Sequence, residues 1–105
     1  MLGEHDQART LAEDTLTRRR RVLGDDHPDT LHSAHNLAYD LSALGEHEQA
    51  RTLDEDTLTR RRRVLGDNHP DTLWAAHNLA IELSALGEHD QARTCLLYTS
   101  DAADE

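Results

Sequence analysis

Residues 27 to 70 read HPDTLHSAHNLAYDLSALGEHEQARTLDEDTLTRRRRVLGDNHP, and the dipeptide that opens the stretch also closes it. The two His-Pro pairs stand 42 residues apart, which is the period of the chain. Residues 3–44 align with 45–86 without a gap, and only seven of the 42 pairs differ: 6/48, 12/54, 26/68, 32/74, 33/75, 39/81 and 40/82. The phrase LGEH recurs at Leu2, Leu44 and Leu86, and a third copy runs on through GEHDQART. Self-similarity at such a period is the signature of repeat architectures.

Each period spells two helices. Pro28 is tolerated at a first helical position, where its missing N–H would be unpaired anyway, and Asp29 suits the positive end of the helix. From there Leu31, Ala34, Leu37, Ala38, Leu41 and Leu44 recur at three- and four-residue spacing, which predicts one buried stripe over residues 28–44. Gly45 breaks the run. A second helix is expected over 46–65, with Ala50, Leu53, Leu58, Val64 and Leu65 as its contacts and Gly66 as a left-handed cap. By repetition the chain also carries the second helix of a preceding repeat at 4–23, a first helix at 70–86 and a truncated second helix from 88. Helix pairs joined by short turns bury their faces only by stacking on neighbouring pairs. The expected fold is therefore all-α, an α-solenoid of antiparallel helix pairs with about five helices. No stretch alternates over strand length, so no sheet is expected.

Composition narrows the function classes. The chain has 105 residues, 36% of them hydrophobic, and one cysteine, Cys95, which has no partner for a disulfide or a thiolate metal site. No apolar run is long enough to span a bilayer and no charged start leads into a greasy segment, so a soluble, unexported, cytoplasmic protein is expected, with no membrane partner. Formal charge is −10, every basic residue is arginine, and residue types with AT-rich codons are scarce. That bias points to a GC-rich bacterial genome of the actinobacterial kind.

The string quoted above resembles tetratricopeptide repeats of the longer, kinesin-light-chain-like type. The matching features are the HP opening, Asn36-Leu37-Ala38, Gly45, Ala50, Leu58 and Leu65-Gly66, and the resemblance covers residues 1–94. It implies a binding scaffold with no catalytic residues and no cofactor, holding a protein or peptide on a concave face. His47 and Asp54 stand where such repeats often carry aromatics, and Thr57 where alanine is usual, so looser packing is expected there.

On the first helix of each pair a second face follows helical spacing. His32, His35, Asn36, Tyr39 and Ser42 project together, and their counterparts are Trp74, His77, Asn78, Ile81 and Ser84. In proteins this chain resembles, that face lines the concave groove and the asparagine often bonds the ligand backbone, a role the resemblance gives to Asn36 and Asn78. Two of the differences between copies, His32/Trp74 and Tyr39/Ile81, change chemical character on this face. Trp74 is the expected anchor, since tryptophan is enriched at interface hot spots.

Other chemistry is less well supported. Eight histidines invite a metal site, yet His5, His47 and His89 are one position copied three times, and His27/His69 and His35/His77 are likewise copies. His32 and His35 have ligand spacing but no evident third ligand, so no metal is expected. The runs Arg18 to Arg21 and Arg60 to Arg63 resemble basic nucleic-acid patches. Four consecutive helical residues fan through roughly 300 degrees, and Asp14 and Asp56 stand four residues before Arg18 and Arg60, so local neutralisation is expected and nucleic-acid binding is not. No nucleophile elbow or phosphate-binding glycine loop occurs, which argues against an enzyme.

The last residues, CLLYTSDAADE, depart from the LDEDTLTRRRR that the period demands. All of them can be encoded by the reverse complement of a transposon-derived sequencing adapter, so residues 95–105 are expected to be a non-native tail on a fragment of a larger repeat protein. The leading reading is a protein or peptide interaction scaffold. The alternative is a structural spacer, or a unit that self-associates through uncapped repeat ends.

Overall fold

The computed structural model describes residues 3–88 and residue 91. Among the described residues four helices follow in chain order: α1 (Glu4–Leu23), α2 (Pro28–Ala43), α3 (His47–Leu65) and α4 (Pro70–Ala85). Each packs on the one before it and the one after it, and among the described residues there is no strand. The molecule is an all-α repeat stack. Of the expected fifth helix, from residue 88, only residues 88 and 91 are described, and the tail at 95–105 lies outside the described residues.

The turns show why the helices begin and end where they do. Pro28 and Pro70 occupy the first turn, and the ring Nδ1 of the preceding histidine accepts the amide of Asp29 or Asp71 at 3.1 Å. The His-Pro dipeptide thus supplies an N-cap and a preset φ together. At the other end of α2, the Gly45 amide donates to Ser42 and the Glu46 amide to Leu41, at 2.9 and 2.8 Å. This is a Schellman cap, and Gly45 provides its positive φ of 83°. Gly87 repeats it after α4. Gly66 differs from the left-handed cap expected there: its φ of 91° is positive, but its ψ of 162° is extended. The chain leaves α3 straight toward the next His-Pro pair.

Two apolar clusters repeat at the same period. Leu16 of α1, Ala34, Leu37, Ala38 and Leu41 of α2 and Ala50 of α3 form the first, with Ala12 and Leu53 packed against it. Leu58 of α3 and Ala76, Leu79, Ala80 and Leu83 of α4 form the second, joined by Ala75. The small alanines let neighbouring helices approach closely while the leucines fill the space between them. Val64 does not join the core as the apolar count predicts; it is 48% exposed. It lies on the last turn of α3, beyond Arg61, the last buried residue of that helix.

The arginine runs fan as their spacing predicts. Arg18 meets Asp14 at 3.0 Å and Arg60 meets Asp56 at 2.9 Å. Arg60 and Arg63 also reach back to Asp26 in the turn before α2, each at 2.9 Å, which ties adjacent repeats together. Hydrogen bonds from Arg60, then from Arg63, hold the Asp26 carboxyl below the usual range.

Candidate functional site

α2 and α4 carry equivalent sequence one period apart, and across α3 their exposed faces meet over a pocket of about 390 Å³. Of the residues expected on a binding face, His35, Tyr39 and Ser42 of α2 line it together with Trp74, Asn78 and Ile81 of α4. His32, Asn36, His77 and Ser84 are exposed but do not line it. Helical spacing places the two groups on one side of each helix, yet only part of each group lines the pocket.

The aromatic side of the pocket is fixed by contacts between repeats. The Asn78 Nδ2 donates to His35 Nδ1 at 3.0 Å, so this asparagine is engaged by the protein's own histidine. The His35 ring lies 4.1 Å from the Trp74 ring, centroid to centroid. On the same indole the Arg61 guanidinium sits 5.8 Å from the ring centroid while donating to the Asp71 carbonyl at 3.2 Å. In the first copy the corresponding arginine, Arg19, donates to both the Asp29 carbonyl and Ser33 Oγ. Replacing Ser33 by Ala75 and His32 by Trp74 therefore exchanges a hydrogen bond for a cation–π contact. Burial, then the nearby Arg61 and His32 charges, lowers the His35 pKa and favours its neutral form.

Three further residues complete the pocket: Ala38, Asp54 and Glu82. Ala38 comes from the core stripe of α2, where its small side chain leaves room. Glu82 is 4% exposed and accepts from His47 Nδ1 at 2.9 Å. Its first-copy equivalent, Asp40, stands 4.0 Å from His5, and the extra methylene of glutamate closes that gap. Asp54 is 5% exposed. Burial, and secondly the negative charge of Glu82, pushes its pKa up to about 7. Of the three positions where looser packing is expected, His47 is half-buried on Glu82 and two hold buried polar groups: Asp54, and Thr57, whose hydroxyl has no hydrogen-bond partner among the described residues.

Asp54 and Glu82 are not among the binding residues that spacing along the first helix suggests, and the signal for them lies in the comparison of copies. Four of the seven differing pairs, 12/54, 32/74, 39/81 and 40/82, place their second-copy residue in this one pocket. Among the described residues no group of three or more His, Cys, Asp or Glu is arranged to hold a metal ion, and no helix is long and apolar enough to cross a membrane.

Comparison with curated proteins returns no match. The tetratricopeptide repeat family model matches residues 1–61 and again 32–97. Those two spans overlap in α2 and α3 and take in every described residue, so the chain belongs to the tetratricopeptide repeat family.

Proposed function

We propose that the chain is a non-catalytic scaffold whose α2/α4 face, the concave side of the array, captures an extended peptide or peptide-like segment of a partner protein. Tetratricopeptide repeats mediate protein–protein interaction, and one observation supports assigning the role to this face. The repeat copies agree almost everywhere, and most of their differences gather in one pocket that exposes an aromatic, an aliphatic and polar side chains together. Drift would scatter them over the surface. A kinesin-light-chain-like subtype, a cytosolic setting in a GC-rich bacterium and membership in a longer array belong to the same proposal. They are supported by the 42-residue period with its HP and NLA signatures and by the all-arginine basic set.

The test is selection of peptides on the immobilised chain, followed by Trp74→Ala combined with Asn78→Ala. The double variant is expected to keep its helical circular dichroism and lose capture of the selected peptides. Unchanged capture would move the ligand elsewhere. A spacer or self-associating unit is the second reading, favoured by the exposure of Leu11 and Val22 on α1. Sedimentation that depends on concentration, together with no retained peptide, would establish it.

A further inference from the structure

The α2/α4 pocket has an apolar mouth and an acidic floor. Tyr39, Trp74 and Ile81 are 64%, 43% and 51% exposed, whereas Asp54 and Glu82, which line the same space, are buried. Glu82 has His47 as its partner. Among the described residues no group donates to the Asp54 carboxylate or pairs with it. A buried carboxylate without a partner is costly, and two carboxylates side by side resist ionising together. Both costs fall if a cation with several N–H donors enters from the mouth.

We propose that this pocket takes the guanidinium of an arginine side chain from an extended partner peptide, its stem against Tyr39, Trp74 and Ile81 and its N–H fork on Asp54 and Glu82. The inference rests on the reading of this face as a peptide-binding surface and adds the chemistry of the residue bound. Arginine fits better than lysine: its planar fork matches carboxylates, and it leaves water more readily than an ammonium does. Its methylenes cover apolar surface while the charged end goes elsewhere. With no three-ligand metal arrangement among the described residues, an organic cation is the species the floor suits. Arg61, the cation already present nearby, is occupied by the Trp74 ring and the Asp71 carbonyl and does not line the pocket. The chain's formal charge of −10 favours encounter with a basic segment. Asp54 replaces Ala12 of the first copy, so the acidic floor is a feature of this pocket and is absent from the repeat frame.

The experiment is selection from a randomised heptapeptide phage library on the full chain, on Asp54→Asn, and on Asp54→Ala, which restores the first copy's residue. Arginine enrichment in the peptides kept by the wild type, lost on both variants, is the expected result. In one selected peptide, replacing arginine by its neutral isostere citrulline should weaken binding to the wild type about tenfold or more. On Asp54→Asn the same replacement should change affinity far less. The citrulline comparison on the wild type needs no variant to fold. A retained pool without arginine enrichment, or one whose enrichment survives both variants, overturns the arginine assignment and leaves the peptide surface standing. If the wild type retains no peptide, the surface and the arginine assignment fall together.

Discussion

Asp54 is a buried carboxyl whose cost to the fold depends on pH. A carboxyl whose folded-state pKa is raised binds its proton more tightly folded than unfolded. Stability then falls as pH rises from the ordinary carboxylate pKa through the folded one. For Asp54, raised from 3.8 to about 7 by burial and by Glu82, that window is about pH 4 to 7. The penalty when fully ionised is on the order of 4 kcal/mol. Asp54→Asn removes the titration, so its melting temperature relative to the wild type should climb between pH 4.5 and 8, as followed by circular dichroism. A difference that stays level would contradict the assignment. Glu82 on α4 and His35 on α2 line the same pocket and are present in both proteins, so the difference reports the Asp54 carboxyl together with its interaction with Glu82. The sequence marks Asp54 only as standing where such repeats often carry an aromatic, and its burial beside Glu82 depends on how α4 packs, which no spacing within α3 reveals. The Asn78–His35 bond is equally hidden, since it joins residues 43 apart that no single-helix spacing relates. Trp74 and Tyr39 were legible because helical periodicity and the differences between copies both pointed to them.

Among the helices and turns, the two glycine breaks of each repeat do different jobs. Gly45 closes a Schellman cap, a left-handed position that asparagine also tolerates. Gly66 adopts φ 91° and ψ 162°, a region essentially reserved for glycine. An added Cβ would meet nothing within 4 Å at either site, so any cost is that of the backbone alone. Gly66→Asn should therefore lose about 1–3 kcal/mol in urea unfolding, and Gly45→Asn distinctly less. Equal losses would show that the two turns share one conformation. A second expectation concerns the histidine caps. His69→Ala should cost about 0.5–2 kcal/mol, the range for a lost N-cap, measured the same way. The helices themselves were readable to within a residue at each end, because proline, glycine and the apolar stripe all agreed. The capping role of His27 and His69 was not readable, since histidine is not among the residues that usually accept an N-terminal amide. The ψ of Gly66 was also out of reach, being set by the extended path to the next His-Pro pair.

For the array as a whole, stability is a sum over neighbours, and the repeat supplies its own control. Leu11 and Leu53 occupy the same position in successive copies, within the same ART-L sequence context. Leu53 packs against the cluster of Leu37, Leu41 and Ala50, because α2 lies across α3. Leu11 is 69% exposed, because among the described residues no helix covers that face of α1. The residue removed and the preceding Ala-Arg-Thr are the same at the two sites, and the neighbour that follows differs, Ala12 against Asp54. The difference between the alanine variants measured at pH 5, with Asp54 largely protonated, therefore reports mainly packing against a neighbouring repeat. Leu11→Ala should stay within about 0.5 kcal/mol of the wild type, as exposed substitutions do. Leu53→Ala, being only partly buried, should lose roughly 1–3 kcal/mol, below the 2–5 kcal/mol of a full core truncation. Leu37→Ala, a buried leucine of the first cluster, should reach that upper range and unfold a chain with so little core to spare. Urea titration of the three variants decides it. If Leu11 proves as sensitive as Leu53, the open face of α1 is covered in solution, and concentration-dependent sedimentation of the wild type would identify a second copy as the cover.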